Sequence, residues 1–272
     1  MTDKKLAMLG VVAAFLLSAC GQPAPEAPAE AEAAADEPAA APAAEPVDYT
    51  ALLANRSEED RARDGGRKPD EVLAILGVEP GMDALDLVAA GGWYTAVLSA
   101  VVGDEGSVAA QNPGWMHGFR DGAITAGIDT RIEGGLSNVS KLDNEWADLA
   151  MMEPQFDVAL SALNVHDVYF FEGPEGAAQF ATAVYNVLRP GGVFGLIEHV
   201  GNADGDNEAL HRLPRALTIE IVVAAGFELE EDSDVLANPD DDGTLSVFNE
   251  SVRGNTDRFL LKFRKPAMTR AE

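Results

Sequence analysis

Residues 86–95 read DLVAAGGWYT. The apolar run DALDLVA, residues 83–89, has the length of a short buried strand. WYTAVLSAVVG, residues 93–103, reads as a helix that stops at Gly103. Gly91 and Gly92 lie between them, where the chain must turn from strand to helix. Glycine suits such a turn because it tolerates positive φ and lets another group approach the backbone.

Strand and helix signals continue to alternate outward from this turn. PDEVLAILGV (69–78) places Val72, Leu73, Ile75 and Leu76 at helical spacing and ends near Gly77. SVAAQ (107–111) is a second strand, and a third is expected near 138–142. FDVALSAL (156–163) is a fourth. GPEGAAQFATAVYNVL (173–188) reads as a helix, RPGG (189–192) as its stop and turn, and VFGLIEH (193–199) as a fifth strand. Residues 214–225 form a helix closed by Gly226, with Pro214 at its first position, and DRFLLKFR (257–264) is the last strand. This order predicts βαβ units, a mostly parallel sheet and helices on both faces. In such a sheet a ligand sits beyond the carboxyl ends of the strands, near the switch point.

The chain has 272 residues and a net charge of −27. So acidic a surface repels polyanions, so no nucleic-acid partner is expected. At the front, Lys4 and Lys5 precede an apolar run over 6–17 that is too short for a membrane span of about 20 residues. Ser18 and Ala19 then lead to Cys20, a pattern that resembles a bacterial lipobox. The resemblance implies cleavage after residue 19 and lipid attachment to Cys20, hence a membrane anchor in the cell envelope with the folded part facing the periplasm. Cys20 is the only cysteine, so an intrachain disulfide and a cysteine-based metal site are both excluded. Residues 20–48 are rich in alanine, proline and acid and read as a disordered tether. The folded domain is expected over 49–266, with a short tail over 267–272.

KPDEVLAILGVEPGMDALDLVAAGGWYTAVLSAVVGDEGSV (68–108), FDVALSALNVHDV (156–168) and VYNVLRPGGVFGLIEH (184–199) together resemble the class I S-adenosylmethionine-dependent methyltransferases, and within them a group of secreted bacterial members. The likeness covers most of residues 65–266. It implies a Rossmann-like class I methyltransferase fold: an α/β structure with a seven-stranded, mostly parallel sheet, an antiparallel last strand at 257–264, and helices on both faces. It also implies S-adenosyl-L-methionine as cofactor. By the same resemblance, Asp86, Ala90, Gly91, Gly92 and Asn112 are cofactor-binding candidates. Val88 and Ala90 stand where many members carry glycine. Val88 costs nothing if the strand simply continues. Ala90 is harder, because a left-handed non-glycine residue costs about 1–2 kcal/mol, and Gly91 and Gly92 could shift the turn by one residue. Alternatively this is a plain strand-to-helix turn without a ligand. After the second strand the family carries an acid for the ribose hydroxyls. Here Gln111 or Asn112 occupies that place, and an amide lacks the strength of a charge-assisted contact. Asn112 could instead cap the following turn.

The four histidines, His117, His166, His199 and His211, all map to the carboxyl side of the predicted sheet. Asp167 and Glu198 adjoin two of them. His166, Asp167 and His199 are therefore the catalytic candidates, with a histidine as general base for an acceptor. The same residues could bind a metal with the carboxylates, although no HxxxH-type spacing supports one, or could be hydrogen-bonding loop residues. Asn164, Glu198, His211 and Arg212 are the acceptor-side candidates, Arg212 as a clamp for a carboxylate or phosphate. The loop 202–208 is acidic and lacks the EF-hand glycine, and reads as a lid rather than a calcium loop. The expected activity is methyl transfer to a small-molecule or envelope-associated acceptor. A non-catalytic binding lipoprotein of the same fold is the alternative, because an extracytoplasmic domain would meet little S-adenosylmethionine.

Overall fold

The structure, a computed structural model, describes residues 46–267. The expected signal, Cys20 and nearly all of the tether lie outside the described residues. In chain order the elements are α1 (Tyr49–Leu53), α2 (Glu58–Arg61), α3 (Asp64–Arg67), α4 (Pro69–Leu76), β1 (Asp83–Leu87), α5 (Trp93–Val102) and β2 (Ser107–Gln111). Then follow α6 (Gly114–His117), a 3-10 turn (Phe119–Gly122), α7 (Ala126–Glu133), β3 (Val139–Leu142), α8 (Trp146–Leu149) and β4 (Phe156–Ala162). The last part holds α9 (Val165–Val187), β5 (Leu188–His199), α10 (Asn207–Leu210), α11 (Arg215–Ala224), β6 (Glu228–Ser233) and β7 (Arg258–Arg264).

The strands form one seven-stranded sheet in the order β3-β2-β1-β4-β5-β7-β6. β1 to β5 run parallel, and β7 runs antiparallel to both β5 and β6. The central strands are buried on both faces, which is why their sequences are near-continuous apolar runs. One core layer, with Phe180, Phe194 and Phe263, packs between the sheet and α9 and α11. The other, with Leu73, Leu98 and Val101, packs against α4 and α5.

The chain moves outward in opposite directions from β1 and β4, so their carboxyl ends form the switch point of the sheet. Leu87 pairs with Gln111 on one side and Ser161 on the other. Three segments therefore converge there: the β1–α5 turn, the end of β2 and the β4–α9 turn.

Two elements differ from the sequence expectation. α9 begins at Val165 rather than near 173, because Gly173 adopts φ 74°, ψ −178° and joins two helical pieces across a kink before Pro174. His166 and Asp167 thus sit in a first helical turn, not a loop. The RPGG segment lies inside β5 as an irregularity, where pairing jumps from Phe156–Leu188 to Val158–Val193.

Candidate active site

The β1–α5 turn is left-handed at residues where glycine is absent. Val88 and Ala90 both have φ 51°, and Leu163, at the facing end of β4, has φ 65°. Val88 therefore does not continue the strand. Nor does the double glycine shift the turn: Gly92, with φ 78°, adds a left-handed residue at the start of α5. A β-branched residue in this region is uncommon, and such strain persists only where the surroundings over-determine it. Here they do. The Val88 amide donates to Gln111 Oε1 (3.1 Å) and the Ala89 amide to the Gln111 carbonyl (2.8 Å). The Ala90 amide donates to Asn112 Oδ1 (2.8 Å), and Asn112 Nδ2 returns to the Ala90 carbonyl (3.4 Å). Asn164 Nδ2 holds the Val88 carbonyl (3.1 Å) and the Ala162 carbonyl (2.8 Å). Arg131 Nε holds the Gly91 carbonyl (2.8 Å).

This corrects the expectation for Asn112. It is buried, and its amide holds the Ala90 peptide rather than a ribose. Gln111 is likewise engaged, its Nε2 donating to the Asn144 carbonyl (2.7 Å). The glycines serve packing as much as conformation. A Cβ on Gly92 would overlap Ile128 Cδ1, and one on Gly127 would lie 2.9 Å from the Gly91 carbonyl oxygen.

The three left-handed residues line one cavity of about 230 Å³ together with Asp86, Tyr94 and Asn164. Asp86 is only 2% exposed and accepts a 2.6 Å hydrogen bond from Thr95 Oγ1. Burial pushes its carboxyl up to about 7. Arg63, Arg67 and Arg131 also line the cavity. Arg131 is anchored by both oxygens of Asp60 (2.7 and 2.8 Å). Arg67 stands 4.6 Å from the Trp93 ring centroid, and burial followed by the neighbouring Arg63 lowers it to about 10. Trp93 is itself buried under the arginines, its Nε1 donating to the Asp60 carbonyl (3.0 Å), and leaves the cavity open.

Three of the four histidines come together. The rings of His199 and His211 lie 5.8 and 5.6 Å from that of His166. Glu198, with no exposed surface, accepts from the His166 amide (3.0 Å), meets His166 Nδ1 (2.8 Å) and accepts from the His199 amide (2.7 Å). It is thus a positioning residue and cannot touch an acceptor, contrary to the sequence expectation. Burial alone would lower His166, but Glu198 and Asp167 together outweigh it and the net shift is upward. His199 is held well below the usual imidazole range by burial and then by His166, and its Nδ1 meets Thr256 Oγ1 (2.6 Å). Asp167 bridges His166 Nε2 (3.4 Å) and His211 Nδ1 (3.2 Å). Ligand atoms of His166, Asp167 and His211 lie within 4.8 Å of one another, a spacing that could hold a metal ion. His117 stands apart, between Thr125 Oγ1 (3.2 Å) and Asp143 (3.2 Å).

Arg212 is also corrected. It is 0% exposed, pairs with both oxygens of Asp241 (3.0 and 2.8 Å) and donates to the carbonyls of Val200 and Leu245. It clamps the 241–245 loop and offers no donor to an acceptor.

The sequence reading missed Arg63, Arg67 and Arg131. A signal was present for the first two: Arg56, Arg61, Arg63 and Arg67 crowd a short stretch of a chain with only 19 basic residues.

No protein-family model matches the chain. The ubiquinone/menaquinone biosynthesis C-methyltransferase UbiE of Shewanella oneidensis is 24% identical over 191 residues, 70% of this chain. The match spans 66% of that protein, just under two thirds of its length. A SAM-dependent methyltransferase from Aquifex aeolicus superposes with TM-score 0.54 at 18% identity, covering 81% of this chain and all of the other. An arsenic(III) S-adenosylmethionine methyltransferase from Chlamydomonas reinhardtii has TM-score 0.50 at 19% identity, covering 84% and 76%. The [4+2]-cyclase SpnF also matches, with TM-score 0.54 at 20% identity over 75% and 81%. The sheet order, the antiparallel β7 and these superpositions give one result: the chain has the Rossmann-like class I methyltransferase fold.

Proposed function

We propose that this protein is an S-adenosylmethionine-dependent methyltransferase. Because a cyclase shares the fold, the proposal rests on the site rather than the fold alone. The observation that carries it is the convergence of left-handed Val88, Ala90 and Leu163 on one cavity at the switch point of the sheet. Backbone strain held by three separate amide side chains marks a shape maintained for a ligand.

The chemistry of the cavity fits the proposed cofactor. S-adenosylmethionine carries an amino-acid end with both charges, and the cavity is lined by buried Asp86 as well as by Arg63 and Arg67. Asp86 with the backbone of residues 88–92 would hold it. Carboxylate recognition of the ribose from the end of β2 is missing, since Gln111 and Asn112 are engaged by the loop. When bound, the cofactor supplies an electrophilic methyl on a sulfonium. This chain's part is to position an acceptor and accept its proton. His166 is assigned as the base in its neutral form, oriented through Nδ1 by Glu198, with Asp167 beside its Nε2; because these carboxylates favour the protonated ring, turnover should rise with pH.

The acceptor is proposed to be a small or envelope-associated molecule, and the domain to be tethered to the envelope by lipid on Cys20. The support for this placement is the residue pattern 4–20. Calorimetric titration of the full chain with S-adenosylhomocysteine tests the proposal. One-to-one binding in the micromolar range is expected, with affinity unchanged within twofold in His166→Gln while turnover is lost. Absence of heat at millimolar ligand refutes the reading. Binding without turnover on any acceptor points to the binding-lipoprotein alternative.

A further inference from the structure

A second cavity, of about 560 Å³, adjoins the first and shares Arg63, Arg67 and Leu163 with it. Its other walls include Arg253, Arg258, His199 and Phe248, and no Asp or Glu lines it. This runs against the bias of a chain with 46 acidic and 19 basic residues. Of the described residues, six other arginines find carboxylates, among them Arg56 with Asp64, Arg131 with Asp60, Arg189 with Asp83 and Asp157, and Arg212 with Asp241, while Arg61 and Arg120 have no ion pair. Among the described residues, Arg63, Arg67, Arg253 and Arg258 have no such partner.

Arg258 carries the argument furthest. It is 4% exposed, and its one side-chain hydrogen bond runs from Nε to the Thr256 carbonyl (3.1 Å). A guanidinium stays charged in a protein, and a buried charge without a counter-ion is costly. Its planar fork matches the two oxygens of a carboxylate or phosphate. Leu163, Val247 and Phe248 give the same cavity an apolar side.

We propose that this cavity is an oxyanion pocket that binds an acceptor carrying a carboxylate or phosphate group beside an apolar portion. Its role as the acceptor pocket rests on the methyltransferase reading; its binding of an oxyanion does not. The shared wall at Arg63, Arg67 and Leu163 places such an acceptor next to the cofactor cavity.

The test is titration calorimetry of the full chain at low ionic strength with inorganic phosphate and, separately, succinate. S-adenosylhomocysteine is titrated in parallel. At least one oxyanion is expected to bind, and the tighter of the two identifies the head group. Arg253→Gln and Arg258→Gln should each weaken it about tenfold. Arg120→Gln, which removes the same charge from an exposed turn, should leave it unchanged. Should Arg258→Gln fail to fold, exposed Arg253 keeps the test decisive. Binding of neither probe, no change in Arg253→Gln, or an equal loss in Arg120→Gln overturns the pocket. If S-adenosylhomocysteine binds while neither oxyanion does, the pocket falls and the methyltransferase reading stands. If an oxyanion binds without S-adenosylhomocysteine, the acceptor role falls.

Discussion

Asn112→Ala should destabilise the protein through Ala90, 22 residues away in sequence. Asn112 is buried and accepts from the Ala90 amide at 2.8 Å. Leaving that amide without a partner costs about 1–3 kcal/mol. The return contact to the Ala90 carbonyl, at 3.4 Å, adds little. Without its brace Ala90 also tends to leave φ 51°, a conformation that is itself about 1–2 kcal/mol uphill for alanine. Relaxation recovers part of that strain, so a net loss of about 2 kcal/mol is expected, or roughly 4–8 °C in Tm for a domain of this size. Asn112→Asp keeps the acceptor but sets a carboxylate against the Ala90 carbonyl, and should lose about half as much. Urea unfolding of both variants measures this. In the same samples S-adenosylhomocysteine affinity should fall with the loop. An Asn112→Ala protein within 0.5 kcal/mol of wild type, with unchanged m-value, would refute the bracing argument.

Further outcomes follow from the same geometry. Gly92→Ala should destabilise the turn by about 1–2 kcal/mol through its φ of 78°, with Ile128 Cδ1 displaced by the new methyl, and weaken cofactor binding; unfolding and a ligand titration check it. Asp86 has a folded pKa raised by burial to about 7. The stability it gives is therefore full below its unfolded pKa and lost as pH rises toward 7. Relative to Asp86→Asn, wild type should lose about 4 kcal/mol between roughly pH 4 and 7 and level off above, as followed by unfolding at fixed ionic strength. Asp241→Asn should destabilise by about 3–5 kcal/mol, since it leaves buried Arg212 without its counter-ion, as followed by urea unfolding.

The parallel core was legible because β1, β4 and β5 are buried on both faces and carry apolar runs between glycine and proline stops. β6 was not: ELEEDS is an exposed, acidic edge strand held by pairing with β7, and its composition gives no strand signal. The three-residue histidine cluster was legible because each member follows a strand end on one edge. The state of the β1–α5 turn was not. Whether Val88 stays extended depends on Gln111 and Asn164, which bond its amide and carbonyl, and on Asn112, which holds Ala90, all from distant positions in the chain. The same holds for Arg212, whose partner Asp241 lies in an irregular segment. Arg63 and Arg67 were missed because short helices before the recognisable βαβ pattern have little periodicity. Only their place against Trp93 gives them meaning.

Val88, Ala90 and Leu163 bound the cavity on which cofactor binding depends. A crystal structure of the full chain with S-adenosylhomocysteine tests this most directly. Ligand density is expected between Asp86, the 88–92 backbone and Asn164, with Val88 and Ala90 still left-handed. Density elsewhere on the molecule, or a Val88 that turns extended to admit the ligand, would contradict it.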